Sequence, residues 1–217
     1  RLGPRHQRER GRQLAGGDQR VDPRDQRPRI GRRDLERAIA HVDGAAAHPV
    51  QVWATRLRAR YGLPPAGKAK IPEADEPTYV AAVREILDLV YASKFPAAEA
   101  KARLADKRWP RTPGVLGARC DLALRKGSAP AASALCDQAI KAWAGAAWAQ
   151  YLRGVIALQR GKTAPAITAL KAAVAAEPEL AAAYRTLGKA YTMAGDRAGH
   201  DALDADYQQR FGSRLPD

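Results

Sequence analysis

The residues of this chain best suited to metal or nucleophile chemistry are four histidines and two cysteines, and their spacing favours neither chemistry. His6, His41, His48 and His200 stand at no metal-ligand spacing from one another or from cysteine. No glycine-rich phosphate loop, nucleophile elbow or kinase signature occurs. Cys120 and Cys136 have no histidine or dense basic cluster beside them, the surroundings that activate a thiol. Two cysteines are also too few for a disulfide-built scaffold. They read first as small buried hydrophobes, and as a disulfide if their backbones approach closely enough. The expectation is a non-enzyme with no catalytic residue, metal or cofactor.

What the sequence does contain is an interval. The stretch from Trp148 to Leu158, followed by Gly161, is answered 34 residues later by Ala182 to Thr192, followed by Gly195. The same step backwards reaches Gly127 and then Ser93, a column that fits the tight turn between two helices, where glycine takes the left-handed conformation without steric cost. Further columns read Ile86, Cys120, Gly154, Gly188; Leu89, Ala123, Ala157, Tyr191; Ala98, Ala132, Ala166, His200; and Ala105, Ala139, Ala173, Tyr207. Small side chains at a fixed interval mark places where antiparallel helices cross closely, and the larger residues fill the space between neighbouring hairpins. One hairpin cannot bury its apolar face alone, so at least ~3 must stack. Four units tile residues 79–112, 113–146, 147–180 and 181–214 without a gap.

At these residues the chain resembles the tetratricopeptide repeat family. The run from Ala183 to Asp196 is similar to that family's first helix almost throughout, and Gly154, Ala157, Gly161, Ala166, Ile167, Ala173 and Pro178 carry the likeness in the preceding unit. Ile86 and Cys120 depart from it where the family prefers glycine. The likeness covers about two-thirds of the chain. It implies an all-α fold: an α-solenoid of antiparallel helix-turn-helix repeats over residues 78–214, the last repeat acting as a polar cap.

Helix punctuation agrees. Pro77-Thr78 opens the first helix, with Thr78 as N-cap; Pro96 and Pro130 sit near the start of second helices; Glu177-Pro178 closes one; Asp196 caps the last helix and Gly212 stops it. That last helix sets Leu203, Tyr207 and Phe211 on one face, with Asp201, Asp204 and Asp206 elsewhere.

The front third differs. Of a formal net charge of +14, residues 1–67 hold fifteen Arg, no Lys and seven acids. Residues 1–33 read as a disordered basic arm. Residues 34–61 could form a helical hairpin, through Leu35, Ala38, Ile39 and Val42 and then Val50, Trp53, Ala54, Leu57 and Tyr61, ended by Gly62 and Pro64-Pro65. Residues 62–77 read as a linker. Such an arm could track a phosphate backbone, which makes a nucleic-acid-associated protein the alternative; its interspersed acids and single aromatic before residue 60, Trp53, weigh against it. Hydrophobic residues are 46% of the chain, largely alanine, and no apolar run nears the ~18 residues of a membrane span. The Ala/Arg-rich, asparagine-free composition resembles that of proteins from high-GC bacteria. No charged-then-apolar leader is visible at the front, and the cytoplasm is the favoured compartment.

The resemblance implies a partner: proteins of this family hold a peptide on the surface that the first helices line. Projecting those helices gives Val83, Leu87 and Val90, then Asp121 and Arg125, then Trp148, Tyr151 and Val155, then Arg185, Lys189 and Met193. Such a surface suits a protein or peptide with an apolar anchor and an acidic or carboxylate group. Trp148 and Tyr151 fit packing between units equally well. With no asparagine in the chain, the carboxylate clamp of some family members is not carried over. The expected role is a non-catalytic interaction scaffold, in one form the C-terminal part of a larger bacterial signalling or assembly protein.

Overall fold

A computed structural model describes residues 58–65 and 71–216, all within one compact unit spanning Arg32–Asp217. The expectations for residues 1–33, and for 34–61 up to Leu57, lie outside the described residues. After a 3-10 turn at Glu73–Asp75 come eight α-helices, with no strand among the described residues: α1 Glu76–Tyr91, α2 Phe95–Arg108, α3 Pro113–Arg125, α4 Ala129–Ala142, α5 Ala147–Gln159, α6 Thr163–Ala176, α7 Ala181–Ala194 and α8 Arg197–Phe211. Helices α3, α5 and α7 start 34 residues apart, as do α2, α4, α6 and α8. Each helix packs on the next, and consecutive first helices (α1 on α3, α3 on α5, α5 on α7) also touch.

The turn column explains the hairpins. Ser93, Gly127, Gly161 and Gly195 have φ of 57°, 82°, 70° and 69°. At each, the chain leaves a first helix in the left-handed conformation and re-enters a second helix within three residues. Ser93 does so without being glycine, at a steric cost the other three avoid.

The small-residue columns lie at the crossings. Ile86, Cys120, Gly154 and Gly188 are buried, as are Ala98, Ala132, Ala166, Ala105, Ala139 and Ala173. A Cβ on Gly154 would sit 2.5 Å from Leu170 Cγ, so α5 and α6 meet where a hydrogen replaces a side chain. Ala166 is fully buried at this crossing. Ala166→Phe should lower stability by about 1–3 kcal/mol through overpacking, measured by urea unfolding; an unchanged midpoint would show that the crossing yields freely.

Apolar clusters run along the stack, a small one of Ala173, Leu180 and Ala183 at the α6–α7 junction beside two larger ones. Leu116, Cys120, Ala132, Cys136, Ala149, Leu152 and Ile156 join α3, α4 and α5, whereas Ala166, Leu170, Tyr184, Leu187, Leu203 and Tyr207 join α6, α7 and α8. Asp196 caps α8, its carboxylate accepting from Gly199 N–H at 2.8 Å, and Gly212 ends that helix at φ 71°. The chain then turns back: Leu215 is buried against Gly188, and its N–H donates to Asp204 at 2.6 Å. The sequence reading did not foresee this return.

Three readings are corrected. Thr78 is not the N-cap of α1, which starts at Glu76 after Asp75. Asp75 itself caps nothing, because Arg108 (2.9 Å) and Trp109 Nε1 (3.3 Å) take its carboxylate. Cys120 and Cys136 are not free thiols: they form a disulfide joining α3 to α4, with Cα atoms 5.4 Å apart. Finally, the described part of the presumed linker is packed, with Leu63, Ile71 and Glu76 buried.

Candidate partner-binding site

The first helices present two adjoining regions. One is an aromatic and charged cluster at the centre of the row. Trp148, near the start of α5, donates from Nε1 to Asp121 Oδ2 at 3.3 Å, and Arg125, one turn beyond Asp121 on α3, donates to Oδ1 at 2.9 Å. The Trp148 ring lies 4.9 Å from Tyr151 and 6.3 Å from Tyr91 on α1, while the Arg125 guanidinium stands 4.4 Å over the Tyr91 ring. Two first helices, α3 and α5, thus meet at one carboxylate, and Tyr91 of α1 packs on the two groups that hold it. Asp121 is only 1% exposed, and burial pushes its carboxyl up from the usual range, opposed by Arg125 and Trp148. Tyr91 was absent from the sequence-derived set, although it stands 34 residues before Arg125, in the same column as Arg125 and Met193.

Of the projected residues, Asp121, Arg125, Trp148 and Tyr151 come together here. Trp148 and Tyr151 are half-buried and packed, Tyr151 against both clusters to which α7 contributes. Asp121 is therefore a positioning group for Arg125 and Trp148, and the exposed side chain of that pair of charges is Arg125. On α7, Arg185, Lys189 and Met193 are exposed, Met193 by 57%, and Val155 on α5 is half-buried. Val83, Leu87 and Val90 are core residues, not surface. α1 turns that face inward because something already covers it.

The cover is the chain itself, and it forms the second region. Residues 58–60 are the end of a helix. Gly62 N–H donates to Ala59 O and Leu63 N–H to Arg58 O, with Gly62 at φ 62°, a left-handed helix end. Arg58 forms a two-pronged bond with Glu76, at 2.7 and 2.9 Å, and donates to Pro64 O at 2.8 Å. Arg60 pairs with Glu177, which follows α6 and is 2% exposed. Tyr79 O–H donates to Gly62 O (3.2 Å) and accepts from Gly114 N–H (2.8 Å), tying the segment to the start of α3. Gly114 matters by absence of a side chain: a Cβ there would overlap the Tyr61 carbonyl oxygen. Arg60 and Gly62 line a small cleft together with Val83, Leu87, Gly117 and Trp148. Nothing in the 34-residue columns signals this docking, because residues 58–65 precede the first unit.

Burial pushes Tyr79 up to about 12. Its ordinary value is about 10, so the native state holds a proton that the unfolded chain gives up in that interval. Stability should fall as pH rises from about 10 to 12. Tyr79→Phe should flatten that part of the stability profile, and a slope identical to that of the parent protein would count against the assignment.

Among the described residues, no group of three or more His, Cys, Asp or Glu gathers to hold a metal, and no helix is long and apolar enough to cross a membrane. No protein-family model and no curated protein matches the chain.

Proposed function

We propose that this protein is a non-catalytic interaction scaffold of the tetratricopeptide type. In this reading it binds an acidic peptide segment across α3, α5 and α7. The carrying observation is the pair Arg185 and Lys189: exposed, one turn apart on α7, and in no ion pair among the described residues. They stand on the helix against which Tyr151 packs, in the same row of first helices that carries the half-buried Trp148 on α5 and the exposed Arg125 on α3. An aromatic surface flanked by three cations suits a ligand with an apolar anchor and one or more carboxylates.

The test is selection from a random peptide library. Enriched peptides should carry Asp or Glu near an apolar residue. Arg185→Glu with Lys189→Glu should weaken their binding at least tenfold, about 1.4 kcal/mol, with helical circular dichroism unchanged. Trp148→Ala should weaken it further. Enrichment without acidic residues, or binding that survives the α7 charge reversal, would defeat this reading.

The disulfide bears on the compartment. Such bonds persist in oxidising surroundings and are rare where glutathione keeps thiols reduced. Cys120–Cys136 therefore favours an oxidising compartment over the cytoplasm. Alkylating acid-quenched cells should leave both cysteines unlabelled until reductant is added; immediate labelling of both would return the protein to a reducing compartment.

A further inference from the structure

We propose that residues 58–63 are a built-in ligand, and that Glu76 and Glu177 are the two guanidinium sockets of a site that reads Arg-x-Arg-x-Gly-Leu at a helix end. The site is filled in cis here and accepts the same segment in trans. The reasoning does not depend on the acidic-partner surface, which shares Trp148 with this cleft but has the opposite charge preference.

Arg58, Arg60, Gly62 and Leu63 of the segment each meet a complement. Arg58 places both terminal nitrogens on Glu76, the fork-to-carboxylate geometry that lysine cannot reproduce. Arg60, two residues on, meets Glu177. These two acids belong to separate hairpins, one opening α1 and the other between α6 and α7. A ligand must therefore offer two guanidinium groups at this spacing to satisfy both. Between them the backbone of Tyr61-Gly62 lies against Gly114, where neither chain tolerates a Cβ, and Tyr79 reads the Gly62 carbonyl. Leu63 is fully buried. Removing the segment would take their arginine partners from Glu76 and Glu177, now 3% and 2% exposed, and would open the cleft that Arg60 and Gly62 line with Val83 and Leu87.

A short tether supplies an effective concentration of about millimolar, so cis occupancy alone does not reveal how much affinity the contacts provide. Cutting the tether does. A protease sequence replacing residues 66–70 in the full chain allows nicking after folding. The two pieces should then co-elute in gel filtration at low salt. A synthetic peptide of residues 56–65 in excess should displace the N-terminal piece, and the same peptide carrying Arg58→Glu and Arg60→Glu should not. The nicked chain bearing those two substitutions should separate at least tenfold more readily, with circular dichroism confirming that the helices persist. The proposal is overturned if the wild-type pieces part at once, if the substituted pieces stay together as firmly, or if both peptides displace equally.

Discussion

Arg58→Met should release residues 58–65 from the helices, at a cost of about 3–5 kcal/mol before relaxation. The number follows from burial. Arg58 and Glu76 have side chains 6% and 4% exposed, so removing the cation leaves a carboxylate with neither water nor partner. The chain has an escape, since letting the segment lift off rehydrates Glu76. The measured loss is therefore capped by the docking free energy, and the structural result is local opening rather than unfolding. Amide exchange at Gly62 and Leu63 should speed up by several orders of magnitude, and trypsin should cut after Arg60 in the native protein. Arg58→Met combined with Glu76→Leu should restore much of the protection, because an apolar pair of similar volume avoids both desolvation penalties. If the single substitution left exchange and cleavage at parental rates, the ion pair would not be what holds the segment.

Reducing Cys120–Cys136 should cost about 3 kcal/mol, the loop-closure value for a bridge of this span, given a sequence separation of 16. The bond joins α3 to α4 inside the unit 113–146, which has neighbours on both sides. Stability in a row of hairpins is close to a sum of unit and interface contributions, so weakening an interior unit uncouples both flanks. Thermal unfolding with and without reductant should show the difference, and the Cys120→Ala, Cys136→Ala double variant should match the reduced protein. A transition unmoved by reductant would mean that the apolar packing around those positions carries the unit alone.

Much of the architecture was legible in the residues. The turn column reads as turns because glycine there relieves a left-handed backbone, and the structure has positive φ at all four positions, Ser93 included. Gly154, Ala166 and Ala173 read as crossings because nothing larger fits between helices so close, and they are buried. These properties are local or strictly periodic, so a sequence can display them. Part of the candidate surface was legible for the same reason: Arg125, Trp148, Tyr151, Arg185 and Lys189 follow from projecting one helix face. Tyr91 was available in the same columns.

What the sequence could not disclose depends on contacts without periodicity. Whether two cysteines 16 residues apart bond or stay free turns on the approach of α3 and α4, and only the packed hairpin sets their Cα atoms 5.4 Å apart. Asp121 as a surface residue and Val83 and Leu87 as groove lining were reasonable helix-face projections, yet all three are buried. A face is exposed only if nothing else in the chain covers it. Here Arg60 and Gly62 lie at Val83 and Leu87, their segment held by Glu76 and Glu177, while Arg125 and Trp148 take up Asp121. The repeat interval, the helices and their turns were determined by residue type at fixed spacing. The pairing of distant charges and the closing of the cleft were decided only when the tertiary fold brought separate stretches into contact, since Coulomb attraction and burial depend on distance in space and not on position along the chain.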